Sequence, residues 1–350
     1  MLVFLGVFLH MVGGIAAGSF YIPFKKVKRW SWESYWIISG VFSWLVMPWL
    51  VAVLTVPDLF DILRASSYSD LSWTYLMGVL WGIGGLTFGL TMRYLGVSLG
   101  MAIALGFCSV FGTLIPPIYD GTILTFALET SGVIILSGVL VCVVGIVMCG
   151  WAGITKEKEL PEEKKKETVT EFNFTKGFLV AIFSGILSAC MAFGFTAGKP
   201  IALLSIEKGV SPLWQNSAVL IVILAGGFTT NFIWCMILNI KNKSSRDYIN
   251  SEAPLLTNYL FSAIAGITWY LQFMFYGMGS TKMGKYDFAS WTLHMAFIII
   301  FSNIWGLYLG EWKGSGKRTL RLLIAGILIV IFSTVLIGAG NYLGGGETGH

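Results

Sequence analysis

The stretch "FASWTLHMAFIIIFSNIWGLYL", residues 288–309, runs for 22 residues without a lysine, arginine, aspartate or glutamate. A helix needs about 20 predominantly apolar residues to cross the hydrocarbon core of a bilayer, which is about 30 Å thick. The stretch is long enough, so it predicts a membrane-spanning helix. Its start is unusual, because Lys285 and Asp287 precede it and His294 lies inside it.

Similar windows recur along the whole chain. Of the 350 residues, 56% are hydrophobic and 12% are charged, whereas about a quarter of the residues in a soluble domain are charged. This composition excludes a water-soluble globule and predicts an all-α integral membrane protein. We predict ten transmembrane helices, near residues 3–22, 35–54, 73–91, 97–116, 132–152, 177–197, 216–239, 258–279, 289–309 and 319–340. The first is expected to be retained, because no basic residue precedes it and its apolar run is too long for a signal peptide.

The lysines and arginines predict how the chain is oriented. Positive residues are retained in cytoplasmic loops. Eighteen of the 23 fall in the odd-numbered loops and five in the even-numbered loops. Both termini are therefore expected on the outer, periplasmic side of a bacterial-type inner membrane. The net charge of +5 follows from this asymmetry, so no nucleic-acid partner is needed to explain it.

A charged segment divides the chain near its middle. "KEKELPEEKKKETVTEFN", residues 156–173, mixes charges of both signs and has little to bury, which predicts a surface linker. We predict a first five-helix repeat over 1–155, a charged cytoplasmic linker over 156–176, a second five-helix repeat over 177–343 and a tail over 344–350. Because five is odd, the two halves would be inverted relative to each other, an arrangement that recurs in transporters.

A short internal match supports two related halves. "WGIGGLTFGLTMRYLG" (81–96) aligns with "WYLQFMFYGMGSTKMG" (269–284), pairing Trp81 with Trp269 and Gly89 with Gly277. Three positions are identical and Phe88 aligns with Tyr276, so the charge alternation and the span count carry more weight.

The small residues of the spans are expected to serve packing. Glycines at four-residue spacing, such as Gly78 and Gly82, let helix backbones approach closely in lipid. The five cysteines lie in apolar spans without C-x-x-C pairing, so neither a disulfide framework nor a zinc site is predicted. The sequence shows no pattern of a nucleophile with a neighbouring base, so an enzyme is not predicted.

Several spans carry polar or aromatic side chains that predict a shared cavity. Polar groups in lipid are costly, so they normally face the bundle interior or a water-filled cavity. Helical spacing places Asp287, Trp291 and His294 on one face of the ninth span. A matching face of the eighth span carries Trp269, Gln272, Phe273 and Tyr276. The other candidates are His10, Phe20 and Tyr21 in the first span, Lys199 after the sixth, and Gln215 and Asn216 at the start of the seventh.

The chemistry of these groups favours a sugar. Aromatic rings stack on the C–H faces of a sugar, and neutral polar groups satisfy its hydroxyls. A large organic cation would need only aromatic rings and one carboxylate, so it stays open as an alternative.

Each candidate also has a structural alternative. Asp287 is suited to capping the ninth helix as well as to carrying a proton. His10 and His294 are consistent with buried packing, and the tryptophans and Tyr276 with interface anchors. Glu311 and Trp312 lie at an inner membrane edge, where a loop or a gate is the expected role.

Six motifs, in this order and spacing, resemble a known family. They are "FYIPFKKVKRWSWE" (20–33), "WGIGGLTFGLTMRYLG" (81–96), "AGKP" (197–200), "WYLQFMFYG" (269–277), "YDFASWTLHM" (286–295) and "EW" (311–312). The chain resembles the L-rhamnose–proton symporters, within the drug/metabolite transporter superfamily, over nearly its whole length. The resemblance implies ten helices in two inverted halves and proton-driven uptake of a deoxysugar. L-rhamnose is the expected sugar, with L-lyxose and L-mannose as alternatives.

The resemblance implies a proton as the coupling ion and no other cofactor. We expect Asp287 to take up a proton together with the sugar, because a neutral carboxyl is cheaper to occlude than an ionised one. His294 and His10 are competing carriers, since imidazole titrates near neutral pH. The expected partners are the sugar and the lipid bilayer, and the expected assembly is a monomer or weak dimer.

Three residues depart from the pattern of some family members. Gly85 and Phe88 stand where an asparagine and a tyrosine are expected, and Thr196 stands where an asparagine is expected. These changes remove hydrogen-bonding groups and leave the exact sugar open. A drug or metabolite exporter of the same fold is the alternative function. A non-transporting sugar sensor ranks below it, because no signalling domain is predicted.

Overall fold

The computed structural model describes residues 2–95, 97–159, 173–310 and 312–345, and the regular structure in these ranges is helical. The α-helices are α1 (Leu2–Ser19), α2 (Trp32–Gly40), α3 (Met47–Thr55), α4 (Leu59–Ala65), α5 (Tyr68–Leu95), α6 (Val97–Tyr119), α7 (Ile123–Leu128), α8 (Thr130–Glu159), α9 (Phe174–Ala197), α10 (Lys199–Glu207), α11 (Ser217–Asn242), α12 (Leu255–Ser280), α13 (Ser290–Tyr308) and α14 (Lys317–Gly345).

Eight helical segments in the described ranges are long and apolar enough to cross a bilayer. This confirms the predicted all-helical, multi-pass membrane protein. Each of the ten predicted spans overlaps a long helix, and α2 and α3 together cover the second. The two long helices outside the group of eight are α6, which contains a shorter apolar helix over Ile103–Tyr119, and α12.

A π-helical turn, Val41–Val46, joins α2 to α3. Pro48 is the second residue of α3, and a proline lacks an N–H and clashes with the carbonyl four residues earlier, at Trp44. The wider turn accommodates the proline without ending the helix, so α2 and α3 continue as one bent span.

Helix pairs from opposite halves of the chain form the bundle. Helix α1 packs on α12 and α13, whereas α9 packs on α5 and α6. Helix α5 also packs on α11, and α2 packs on α12, while α8 and α14 lie along each other. Glycines permit these contacts, because a Cβ added at Gly14 would overlap Phe297 and one added at Gly78 would overlap the backbone of Ile223.

The two ends of the bundle differ in chemistry. At the end that we call the lysine-rich end, the Lys156 ammonium lies 4.9 Å from the centre of the Trp312 ring. Arg29, which belongs to another odd-numbered loop, donates from its guanidinium to the carbonyl of Glu252 at 2.8 Å. The other end, called the opposite end, carries exposed Lys199.

The predicted linker and tail lie partly outside the described residues. Helix α8 continues to Glu159 and α9 begins at Phe174, so helices enter the predicted linker from both sides. Residues 160–172 and 346–350, together with Gly96 and Glu311, lie outside the described ranges.

Candidate functional site

A cavity of about 780 Å³ lies between helices of both halves. It reaches the lysine-rich end beside Lys25, Lys156 and Trp312. The sequence places Gln272 and His294 in the outer halves of their predicted spans and so predicts a cavity on that side, whereas this cavity also reaches the lysine-rich end. Its volume is in the range typical of small-molecule sites.

Aromatic side chains form much of the cavity wall. The Trp81 ring stands perpendicular to that of Phe273 at a centroid distance of 5.3 Å, and it makes a similar contact with Trp44 at 6.1 Å. The rings of Phe20 and Trp269 are closer, with centroids 3.9 Å apart. Edge-to-face packing of this kind holds the rings in defined positions.

Gln272 is one of several wall residues with an unpaired buried nitrogen, together with Trp44 and Trp269. Its side chain is 3% exposed, and its amide nitrogen has no hydrogen-bond partner among the described residues. By contrast, Asn231 accepts a hydrogen bond from the Trp36 indole at 3.1 Å, and Asn303 donates to the carbonyl of Ile299 at 2.8 Å. Burying an unpaired amide costs free energy, so Gln272 is suited to meeting a hydroxyl of a bound molecule.

Trp291 is held firmly in the wall by α6. Its indole N–H donates to the carbonyl of Cys108 at 3.0 Å. The neighbouring hydroxyls of Thr292 and Thr113 are 2.6 Å apart. Gly112 makes room for the indole, because an added Cβ there would overlap the ring.

A buried cluster of three rings adjoins Trp291. The centroids of His10 and His294 lie 6.1 Å apart, and the Tyr276 ring lies 5.5 Å from His10 and 5.3 Å from His294. Tyr276 also meets Trp291 edge to face at 5.5 Å. Both imidazoles are completely buried, and none of their nitrogens has a hydrogen-bond partner in the part of the chain that the structure describes.

Glycines on α1 and α12 bring the two histidines together. A Cβ added at Gly13 would lie 3.0 Å from the His294 ring, and one added at Gly279 would lie 2.9 Å from Nε2 of His10. The close approach of α1 to α12 and α13 therefore depends on small residues.

The structure divides the predicted site residues into three groups. The cavity wall includes Phe20, Tyr21, Trp269, Gln272 and Trp291. The ring cluster beside it consists of His10, Tyr276 and His294. The residues outside the cavity are Lys199, Gln215, Asn216 and Asp287.

Asp287 lies in a 3₁₀ helix, Gly284–Ala289, and is exposed. The spacing of an α-helix therefore does not extend from Trp291 back to Asp287, because a 3₁₀ helix turns every three residues. The N-cap of α13 is Ala289, without a side-chain capping bond, so the alternative of Asp287 as the helix cap is wrong. Asp287 interacts electrostatically with Lys199 and Tyr276.

Sequence reasoning missed several residues of the wall, among them Trp44, Trp81, Ser188 and Asn231. Asn231 carried a usable signal, since a polar side chain in a predicted span usually faces an interior. Trp81 belongs to a motif that supports the internal match and the family resemblance, but neither gives Trp81 itself a role. Trp44 carried no such signal, because a tryptophan is equally compatible with the lipid interface.

Comparison with known proteins decides the family. Residues 1–342 match the family described as L-rhamnose-proton symport protein. The chain belongs to this family. An L-rhamnose-proton symporter of Citrobacter koseri is 39% identical over 340 residues, covering 96% of this chain and 97% of the relative. Symporters of the same name from Yersinia pestis and Yersinia pseudotuberculosis are 39% identical over 342 residues, covering 97% of this chain and 98% of each relative.

The match confirms the resemblance inferred from the six motifs. The family consists of transport proteins and not of enzymes, in line with the sequence prediction.

Proposed function

We propose that the protein imports L-rhamnose together with protons by alternating access. The observation that carries this proposal is the cavity, in which aromatic rings surround the unpaired amide of Gln272, in a chain of this family. L-lyxose and L-mannose are the alternative sugars.

The charge of the cavity supports a neutral substrate. Its described lining includes no aspartate or glutamate, and its lysines, Lys25 and Lys156, lie at the lysine-rich end. An organic cation would be expected to meet a carboxylate, whereas a sugar needs stacking surfaces and neutral hydrogen-bonding groups. These features favour sugar uptake over the export of cationic drugs.

We propose ten transmembrane helices in two inverted repeats, the drug/metabolite transporter fold. The helix contacts support this arrangement. When each helix is replaced by its counterpart in the other half, one observed contact becomes another observed contact. The contact of α1 with α12 becomes that of α9 with α5, and the contact of α1 with α13 becomes that of α9 with α6. Helices α8 and α14 are each other's counterparts, so their contact is unchanged by the replacement.

We propose that the lysine-rich end faces the cytoplasm of a bacterial-type inner membrane. Both termini then lie outside, in accordance with the excess of positive residues in the odd-numbered loops. In this orientation the cavity is open inward, and the cluster of His10, Tyr276 and His294 lies between it and the outside. The bilayer is the expected surrounding, and a monomer or weak dimer is the expected assembly.

We propose a proton relay from Asp287 to the two histidines. Asp287 is exposed at the opposite end and interacts electrostatically with Tyr276, which contacts both His10 and His294. Imidazole nitrogens without partners are able to accept and release a proton next to the sugar site. The driving force is adequate, since one charge crossing about 100 mV yields about 2.3 kcal/mol, or roughly a fifty-fold sugar gradient.

Uptake by the purified protein in proteoliposomes tests the proposal. A pH gradient, outside acid, is expected to drive L-rhamnose accumulation that a protonophore abolishes. Accumulation that does not respond to the pH gradient or to the protonophore would contradict symport.

The role of Asp287 is tested in the same vesicles with Asp287→Asn. This variant is expected to slow sugar-induced proton uptake while the proton-to-sugar ratio is kept, because the histidines still hold the proton. Asp61→Asn is the matched control, since Asp61 is also an exposed aspartate and lies outside the cavity. A lost ratio in Asp287→Asn alone would place the coupling site at Asp287 instead.

A further inference from the structure

Six aromatic side chains of the cavity wall contact one another in a closed circuit. Each ring centroid lies between 3.9 and 6.4 Å from the next. The members of this aromatic circuit, in the order of their contacts, are Phe20, Trp36, Trp44, Trp81, Phe273 and Trp269, and all of them line the cavity. They come from the end of α1, from α2, from the π-helical turn, from α5 and from α12. The shape of the circuit therefore depends on how its rings are held between different helices.

Trp36 carries the polar contact that ties the aromatic circuit to a further helix. Its indole N–H donates to the side-chain oxygen of Asn231 at 3.1 Å. Asn231 belongs to α11, which contributes no ring to the circuit. By contrast, the indole nitrogens of Trp44 and Trp269 have no hydrogen-bond partner among the described residues. The orientation of Trp36 is thus fixed by a hydrogen bond as well as by ring contacts.

Both ends of the Asn231 amide are already paired. Its oxygen accepts from Trp36, and its nitrogen donates to the carbonyl of Gly227, one helical turn earlier, at 2.9 Å. The side chain is 4% exposed, whereas the Trp36 side chain is half-buried and offers part of its surface to the cavity. A molecule in the cavity therefore meets the ring of Trp36, and Asn231 acts on that molecule through the ring.

We propose that Asn231 is a positioning residue for the sugar, which holds the Trp36 indole at the angle at which the aromatic circuit contacts the C–H faces of a monosaccharide. The torsion that turns an aromatic ring about its last bond has broad minima, so packing alone fixes the angle of an indole weakly. Contacts between carbon atoms are lost when the surfaces separate by less than 1 Å, so a turned indole contacts a sugar poorly. The inference rests on the proposed function.

Asn239 provides a matched control on the same helix. Its amide nitrogen also donates to the carbonyl four residues earlier, that of Cys235, at 3.0 Å. Its oxygen accepts from the hydroxyl of Ser244 at 3.2 Å, and its side chain is 2% exposed. Asn239 is not part of the cavity wall. Alanine at either position removes the same buried amide, but only the change at Asn231 reaches the aromatic circuit.

Calorimetric titration of L-rhamnose into the purified, full-length protein tests the inference. Asn231→Ala is expected to lower the affinity about tenfold, the upper scale of a single hydrogen bond. Asn239→Ala is expected to stay within about twofold of the wild type. Thermal unfolding should show that both variants are destabilised, because each leaves a buried donor unpaired. The loss of affinity is thereby separated from the loss of stability.

A second variant distinguishes positioning from direct contact with the sugar. Trp36→Phe keeps an aromatic ring but removes the N–H that Asn231 holds, so it is also expected to weaken binding. When Asn231→Ala is added to Trp36→Phe, the affinity should fall by no more than about twofold further, because the hydrogen bond is already absent. A further loss of about tenfold would show that Asn231 contacts the sugar itself and would overturn the inference.

The outcomes separate the inference from the proposed function. If the wild type binds L-rhamnose and either Asn231→Ala or Trp36→Phe binds it as tightly, the inference is overturned and the proposed function stands. Because Trp36→Phe leaves the Asn231 amide in place, this test remains decisive if Asn231→Ala does not fold. Equal losses of affinity at Asn231 and Asn239 also overturn the inference. A wild type that binds none of L-rhamnose, L-lyxose and L-mannose overturns both.

Discussion

The imidazole rings of His10 and His294 meet edge to face across the contact of α1 with α13, with centroids 6.1 Å apart and an interplanar angle of 61°. Both rings are completely buried, and their nitrogens lack partners among the described residues. An unpaired buried polar group costs about 1–3 kcal/mol, so this pair is not explained by stability. Its position beside Trp291 and Tyr276 is consistent with the proposed transfer of a proton to the cavity.

Replacing either histidine is expected to uncouple sugar movement from proton movement. In His294→Gln or His10→Gln, sugar-induced proton uptake in proteoliposomes should fall at least about tenfold, because an amide has no titratable nitrogen near neutral pH. Exchange of labelled for unlabelled L-rhamnose should continue, since neither histidine lines the cavity. Unchanged proton-to-sugar ratios in both variants would rule out the histidine pair as the proton site.

Gln272→Leu is expected to separate stability from binding. The free energy of unfolding should stay the same or rise by about 1 kcal/mol, because the unpaired amide is removed from the interior. L-rhamnose affinity should fall at least about tenfold, because a hydroxyl loses its partner. Thermal unfolding and calorimetric titration measure the two effects. A destabilised variant that binds sugar normally would assign Gln272 a structural role.

Two glycines of α6 are expected to respond oppositely to alanine. A Cβ at Gly112 would overlap the Trp291 indole, so Gly112→Ala should lower the free energy of unfolding by about 1–3 kcal/mol and weaken sugar binding. A Cβ at Gly106 meets nothing within 4 Å, so Gly106→Ala should be neutral or stabilising by up to about 1 kcal/mol. Denaturation of both variants in the same detergent provides the measurement, and similar melting temperatures would contradict the observed packing of Trp291.

The hydrogen bonds of Glu33 are expected to stabilise the fold at the lysine-rich end. Its side chain is 3% exposed and accepts hydrogen bonds from the amide of Asn242 and the hydroxyl of Ser244. Glu33→Ala leaves both donors unpaired and should cost about 1–3 kcal/mol of unfolding free energy. Glu33→Gln keeps an acceptor oxygen and should cost less.

The control for Glu33 is the exposed Glu207. Glu207→Ala should change the unfolding free energy by no more than about 0.5 kcal/mol, as is usual for surface positions. If Glu33→Ala and Glu207→Ala have the same melting temperature, the hydrogen bonds of Glu33 do not stabilise the fold.

The sequence by itself determined the class of protein, the approximate position of each long helix and the family. Apolar length and charge are local properties, so a window such as 288–309 predicts a membrane helix without knowledge of its neighbours. The same reasoning placed Gln272, Trp269 and Trp291 in the interior, because the energetic cost of polar groups in lipid already selects an inward direction.

Only the tertiary structure decided which inward-facing groups meet. His10 and His294 are distant in sequence, and their contact depends on glycines that let α1 approach α12 and α13. Asp287 lies away from the cavity because the chain turns as a 3₁₀ helix before α13, which helical spacing alone does not reveal. Likewise, Gly78 and Gly85 both lie in α5 and each has another glycine four residues later. Only the structure shows that Gly78 packs against a neighbouring backbone whereas Gly85 borders open space. Spacing along one helix defines a face, but the partner of that face is set by the packing of the whole bundle.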